Sequence, residues 1–288
     1  MQGYDSNCCF RGRKTSNTKR VCWEITTACN LRCKFCHRNK KNIDSYDITR
    51  MPKTIKILRD NDINNIIISG GEPMLHPDFR RIFDALYESG FELDVCTNGT
   101  LLDSSDIYYF RDKLSEISIS IDDYENIRHD RMRGVEGAFE QTMKNVRCLI
   151  ESDIEVHATT VVDNLFAEKI IPMTNFLYNE GIRSVSYLGL IPIGTGENLL
   201  FSENIQKVLE EQVDYVRKKY VDMQINTKHL LMRKSFYQCK AGSVVYGLGV
   251  DGLTLCPCLL TREREGKSIG DERVGMCPGS RYLTQRRE

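Results

Sequence analysis

Short apolar runs alternate with amphipathic helical patterns along residues 20–220 of the 288-residue chain. Strand patterns fall at 20–26, 65–69, 92–97, 116–121, 155–162 and 184–190, and helical patterns at 49–60, 78–89, 138–152, 166–180 and 205–220. Gly90 and Gly181 stand where two of these helices would stop. A strand, a helix and a second strand build a parallel pair, because parallel neighbours need a long crossover. The crossover hand is almost always the same, so successive units curl one way. Six such strands fall short of the eight that close a barrel. The expected architecture is α/β, a partial (βα)6 TIM-like barrel. After about residue 226 the rhythm breaks into short runs rich in glycine and cysteine. The expected division is a flexible N-terminus over 1–20, the barrel over 21–225 and a small C-terminal domain over 226–288.

Folds of this kind carry their chemistry at the C-terminal ends of the strands. The informative residues fall there. Cys29 to Cys36 follow the first strand, Gly70 to Pro73 the second, Asn98 and Gly99 the third, Asp122 the fourth, and Leu190 to Pro192 the sixth.

Composition narrows the partners. Lysine plus arginine equals aspartate plus glutamate at 40 each, so no nucleic-acid partner is expected. No apolar run reaches the roughly 18 residues of a membrane span, and the polar, basic first 20 residues are not a secretory signal. The expected location is cytoplasmic. Twelve cysteines without a signal read as metal ligands or reactive thiols rather than disulfides.

Cys29, Cys33 and Cys36 are spaced Cys-x3-Cys-x2-Cys. Chance gives this spacing in about 2% of chains of this composition. Three thiolates on one loop bind three irons of a 4Fe–4S cube and leave the fourth iron open for a reactant. Zinc is the alternative metal, with His37 as a fourth ligand.

This loop, the Gly70-Gly71-Glu72-Pro73 segment and the partial barrel together resemble the radical S-adenosylmethionine superfamily, from about Val21 to Leu190. The resemblance implies that the open iron binds the amino and carboxylate groups of S-adenosylmethionine. It also implies one-electron cleavage to a 5′-deoxyadenosyl radical, which removes hydrogen from a substrate. Phe35 would pack near the adenine. Gly70 and Gly71 would let the backbone approach the methionine ammonium, which their carbonyls and Glu72 would bind ahead of Pro73. Ser120 and Asp122 would lie near the ribose or the methionine end, or else cap the strand. Arg133, in the run 128–134 shared with peptide-modifying members, would pair with the methionine carboxylate, with Arg131 and Arg128 as alternatives. Leu190 would contact adenine through its backbone, or simply begin a loop. Thr97, Asn98 and Gly99 also match the family; Asn98 and Gly99 would turn the chain at a strand end, a mainly structural role.

Cys239, Cys256, Cys258 and Cys277 resemble the shortened form of the auxiliary-cluster domain called SPASM, or twitch. The resemblance implies one auxiliary 4Fe–4S cluster; a four-thiolate zinc knuckle is the alternative. Asp251 and Gly252 would turn a hairpin between short strands. Cys22, Cys96 and Cys148 read as small core residues.

The implied function is hydrogen abstraction during maturation of a ribosomally made peptide. About 20 residues precede the first strand, so a leader-binding domain is not expected and a separate leader-binding protein would serve. A small-molecule oxidoreductase, decarboxylase or cyclase of cofactor or antibiotic biosynthesis is the alternative, and a non-catalytic iron–sulfur redox protein is a further one. A flavodoxin- or ferredoxin-type protein would supply electrons. Tyr187, Glu197, His157 and Asp163 are the acid–base candidates near strand ends, each equally readable as structural.

Overall fold

The structure is a computed structural model that describes residues 19–36, 43–114, 116–189, 203–227, 230, 245–249 and 253–254. Strands β1 (Lys19–Glu24), β2 (Ile63–Ser69), β3 (Glu92–Thr97), β4 (Glu116–Ser120), β5 (Val156–Val162), β6 (Ser184–Gly189) and β7 (Gln224–Asn226) stand in sequence order, each parallel to the next. A further strand, β8 (Val245–Leu248), pairs parallel with the free side of β1, and β9 (Leu253–Thr254) turns back antiparallel on β8.

Eight strands therefore run parallel among the described residues, two more than the sequence pattern predicts. Strand β7 has three residues, too few for an alternation to register. Strand β8 lies beyond the break at 226, yet Arg20 pairs with Val245 and Trp23 with Leu248. This stretch of the expected C-terminal domain thus continues the barrel sheet. The hairpin expected around Asp251 and Gly252 is bounded by β8 and β9, while its two turn residues lie outside the described residues.

Helices α1 (Met51–Asp60), α2 (Phe79–Glu88), α3 (Ser104–Phe110), α4 (Asn126–Arg133), α5 (Ala138–Glu151), α6 (Ile170–Asn179) and α7 (Glu203–Lys219) connect the strands. Two of them are not evident from periodicity. The short α3 is set by a capping box between Asp103 and Asp106. In α4 the two apolar side chains diverge, with Ile127 79% exposed and Met132 buried, so no stripe forms. The expected helix at 166–180 begins later, at Ile170, because Asp163 caps a single 3-10 turn over Asn164–Phe166.

Strand residues alternate between two environments. One face meets the helices and is apolar: Val21, Trp23, Ile66, Ile68, Val95, Ile117, Ile119, Ala158 and Val185 are all fully buried there. Each valine or isoleucine among them stabilises the fold by about 1.5–3 kcal/mol. The opposite face, toward the barrel interior, is polar and internally bonded. Ser118 pairs with Thr159, Asn65 donates to Asp94, and both His157 nitrogens meet hydroxyls, of Ser184 and Ser186. Cys22 and Cys96 belong to this interior face, whereas Cys148 packs against the helical core. Among the described residues no helix is long and apolar enough to cross a membrane.

Candidate active site

The cysteine loop leaves β1 and is tied down on two sides. On one side the loop after β2 donates to it: the Gly71 N–H reaches the Thr26 carbonyl and the Glu72 N–H reaches the Ala28 carbonyl, each at 2.7 Å. On the other side the loop donates to the end of α4. Arg32 N–H meets the Arg133 carbonyl at 2.9 Å, and Lys34 N–H meets the Met132 carbonyl at 3.0 Å. The last carbonyls of a helix have no partner within it, so the cysteine loop acts as the C-terminal partner of α4.

This clasp explains the glycines more directly than ligand approach does. A Cβ on Gly70 would lie 2.7 Å from the Thr26 carbonyl oxygen, and one on Gly71 would lie 2.1 Å from that of Ala28. Gly134 ends α4 at φ +72, and a Cβ there would lie 2.4 Å from the Arg32 carbonyl oxygen. Three glycines thus let three backbones converge around the thiols.

None of the three is in a disulfide; Cys29 is exposed, and Cys33 and Cys36 are half-buried. Burial pushes the Cys29 and Cys33 thiols up, and the Arg133 charge pulls Cys33 part of the way back. Cys29 Sγ accepts the Leu31 N–H at 3.4 Å, and Cys33 Sγ accepts from Arg133 Nη1 at 3.7 Å. Among the described residues no three cysteine, histidine or acidic side chains converge on a point that would hold one metal ion. A cube asks for something else, one thiolate on each of three separate irons. Soft sulfur donors, N–H groups already aimed at two of them and a loop fixed from both sides fit such a cluster. His37, the fourth ligand of the zinc alternative, lies outside the described residues.

Glu72 is fully buried, and both its oxygens are engaged inside the protein. Thr97 Oγ1 donates to Oε1 at 2.7 Å and the Asn98 N–H to Oε2 at 2.8 Å. The Met74 N–H also reaches Oε1, capping the 3-10 turn that begins at Pro73. Asn98 in turn donates to Asn30 in the cysteine loop at 2.9 Å. The segment 97–99, expected to be a plain turn, therefore links Glu72 to the cysteine loop. Its place at the end of β3 and its match to the family are the signals of that role in the sequence.

Four side chains of the run 128–134 make distinct contacts. Arg128 bridges Asp123 at 2.6 Å and Asp163 at 2.5 Å. His129 Nδ1 accepts the Asp122 N–H at 3.1 Å, and burial with the Arg133 charge pushes this imidazole down to about 3. Asp130 accepts the Gly137 and Phe139 N–H groups at the start of α5. Arg133 places Nε 2.7 Å from Asp122 Oδ2, both side chains being buried. Burial raises the Asp122 carboxyl against the pull of Arg133, while Asp122 and Cys33 keep the guanidinium charged despite its burial. The guanidinium also lies 5.3 Å from the Phe35 ring centre.

Arg133 thus has Asp122 and Cys33 as partners, where the sequence points to a methionine carboxylate. Of its two alternatives, Arg128 is committed to carboxylates and Arg131 is exposed. Ser120 ends β4, half-buried, with Thr159 beside it in register. A groove of about 840 Å³ opens next to the cysteine loop, lined by Lys34, Phe35, Tyr124, Ile127, Phe139 and Leu165 among others.

The acid–base candidates separate. Tyr187 faces the helices and bonds Thr174, and His157 lies at the start of β5, away from the site end. Among the described candidates, Asp163 alone reaches the groove wall, already paired with Arg128. Glu197, Leu190, Cys239, Cys256, Cys258 and Cys277 lie outside the described residues.

A family model described as the Radical SAM superfamily matches residues 23–177, more than half of the chain. AdoMet-dependent heme synthase of Nitratidesulfovibrio vulgaris is 32% identical over 199 residues, covering 67% of this chain and 53% of that protein. A probable GTP 3′,8-cyclase of Saccharolobus islandicus is 27% identical over 225 residues, 77% of this chain and 71% of that one. The antilisterial bacteriocin subtilosin biosynthesis protein AlbA of Bacillus subtilis is 27% identical over 209 residues, 67% of this chain and 47% of AlbA. The chain spans about half the length of the heme synthase and of AlbA. Among solved structures, Streptococcus suis SuiB bound to S-adenosylmethionine aligns with a TM-score of 0.74 at 16% identity, covering 90% of this chain and 65% of SuiB. SuiB has also been solved bound to the precursor peptide SuiA.

Proposed function

The chain belongs to the radical SAM superfamily of enzymes, and from that premise we propose that it matures a ribosomally made peptide by abstracting hydrogen from one of its residues. Cys29, Cys33 and Cys36 hold the 4Fe–4S cluster. With S-adenosylmethionine bound, that cluster supplies a 5′-deoxyadenosyl radical. Gly70, Gly71, Glu72 and Pro73 shape the wall against which the methionine end rests, Phe35 and Leu190 flank the adenine, and Ser120 lies toward the ribose.

The observation that carries this reading is the double clasp on the cysteine loop. It fixes three cysteines, none in a disulfide, at the C-terminal end of β1, between the loop after β2 and the end of α4. The peptide substrate is favoured by the likeness to AlbA and by the fold shared with SuiB. The adjoining groove adds to it, because Ile127 and Leu165 are large apolar side chains left 79% and 72% exposed on its wall. Residues 226–288 carry a single auxiliary cluster on Cys239, Cys256, Cys258 and Cys277, and a flavodoxin- or ferredoxin-type protein delivers the electrons.

A second reading is a small-molecule enzyme. It is favoured by the 32% identity to a heme synthase and by the 71% coverage of the cyclase. One experiment tests the chemistry and separates the substrates. Reduced, reconstituted protein is incubated with S-adenosylmethionine, alone and with peptides encoded beside its gene. Slow 5′-deoxyadenosine formation, lost in the Cys29/Cys33/Cys36→Ala triple variant and accompanied by a mass change in a peptide, is the expected result. Cleavage without any peptide product across the neighbouring open reading frames favours the second reading. No 5′-deoxyadenosine under any condition removes both.

A further inference from the structure

The line Cys33–Arg133–Asp122 joins a buried ion pair to a thiol of the cysteine loop, and the order of its partners is specific. Arg133 Nη1 lies 3.7 Å from Cys33 Sγ, and its Nε lies 2.7 Å from Asp122 Oδ2. Asp122 is in turn held from both ends. Its Oδ1 accepts the Val161 N–H at 3.0 Å, and its own N–H donates to His129 Nδ1 at 3.1 Å. The far side of Arg133 is held as well, by the contact of its carbonyl with Arg32 and by the turn at Gly134, where no Cβ fits. Both charges are buried: the side chains of Arg133 and Asp122 are 8% and 0% exposed.

We propose that Arg133, aimed by Asp122, sets the reduction potential of the cluster through the sulfur of Cys33. The inference rests on the reading of Cys29, Cys33 and Cys36 as cluster ligands. A cluster gains one negative charge on reduction, and that charge spreads onto its sulfur ligands. A cationic N–H donor on one ligand sulfur stabilises the reduced form more than the oxidised form and raises the potential. Burial keeps water and salt from screening the effect. Asp122 sits behind the guanidinium and works the other way. Its carboxylate offsets part of the cationic field at the sulfur while holding the donor in place. The residues form a graded device: one raises the potential and the other limits the rise. Arg133 is a positioning residue in this sense, acting on the cluster through Cys33.

The test is an anaerobic redox titration of the reconstituted full-length protein without S-adenosylmethionine, following the reduced-cluster electron paramagnetic resonance signal. The signal that changes shape on adding S-adenosylmethionine identifies the cluster on Cys29, Cys33 and Cys36. Arg133→Gln removes the charge and is expected to make reduction about tenfold less favourable, close to 59 mV more negative for one electron. Asp122→Asn keeps a side chain of the same shape and is expected to move the potential in the opposite direction. Arg133→Lys, which keeps the charge without the planar fork, is expected to fall between wild type and Arg133→Gln. A purely structural role would lower the signal amplitude of all three variants at an unchanged midpoint, and that result overturns the proposal. Midpoints that shift in the same direction for Arg133→Gln and Asp122→Asn overturn it too. If wild type forms no S-adenosylmethionine-responsive signal, the cluster reading fails first and the proposal falls with it. If that signal is present and the midpoints do not move, the reading stands and only the proposal is lost.

Discussion

Gly71 and Ala28 pack backbone to backbone: a Cβ on Gly71 would lie 2.1 Å from the Ala28 carbonyl oxygen, and the adjacent Glu72 N–H donates to that same oxygen at 2.7 Å. The segment that follows β2 and the cysteine loop that follows β1 are therefore one structural unit, although more than 40 residues of chain separate them.

Replacing that glycine tests the unit. Gly71→Ala forces Ala28 to move, and overpacking of this kind costs about 1–3 kcal/mol. The expected outcome is a folded protein that retains less than about half of its iron on reconstitution. Gly90→Ala is the control. Gly90 has φ +81, but a Cβ there would meet nothing within 4 Å, so strain without a clash is expected to lower stability and leave iron loading unchanged. Equal iron loss in both variants, measured against circular dichroism, would refute the clasp.

Glu72→Gln exchanges an oxygen for an amide nitrogen in a fully buried site. The Thr97 hydroxyl, the Met74 N–H and the Asn98 N–H all donate to the carboxylate. An amide can accept through only one of its two ends, which leaves a buried donor facing a donor. The expected loss is about 1–3 kcal/mol of stability by chemical denaturation. A variant as stable as wild type would mean that the carboxylate is not what these donors require.

His129 makes stability depend on pH. Its imidazole is pushed down to about 3 in the folded protein, so the unfolded chain binds a proton that the folded one refuses. Stability from this group is intact above an ordinary histidine value near 6.5 and is lost progressively as pH falls toward 3. Moving from about pH 7.5 to about pH 5.5 is expected to cost roughly 1.4 kcal/mol. His129→Asn, whose oxygen can accept the same N–H without titrating, is expected to show a smaller acid loss in matched denaturation curves. An unchanged acid loss in that variant would assign it to other groups.

Iron content separates the two cysteine sets. Wild-type protein reconstituted anaerobically is expected to hold about eight irons and no zinc. The Cys29/Cys33/Cys36→Ala variant is expected to hold about four, and the Cys239/Cys256/Cys258/Cys277→Ala variant about four with its S-adenosylmethionine response intact. About four irons with one zinc in wild type would make the C-terminal site a zinc knuckle.

The barrel was legible because strand and helix periodicities are local. Glu92–Thr97 is predicted and found with the same ends, and the other five expected strands agree to within two residues. What escaped was short or without a stripe. Strand β7 is brief, and α4 is fixed by contacts beyond its own sequence pattern, with Asp122 ahead of it bonded to His129 within it and Gly134 closing it. The cysteine spacing and the Gly70–Pro73 segment are likewise local patterns, and both stand at the strand ends where their chemistry was expected.

The reason for those residues was not local. The glycines answer to Thr26, Ala28 and Arg32, and Glu72 answers to Thr97 and Asn98. Arg133 reaches Cys33 across 100 residues of sequence. The amino-acid sequence by itself determined the order of strands, the thiols on one loop and the end of the sheet where they stand, since each follows from neighbours within a few residues. Only the tertiary structure decided that β8 joins β1, that the cysteine loop is clasped by the loop after β2 and the end of α4, and that Arg133 faces a thiol. Those contacts arise when the sheet curls and brings successive strand ends together, and no periodicity along the chain encodes which side chains then meet.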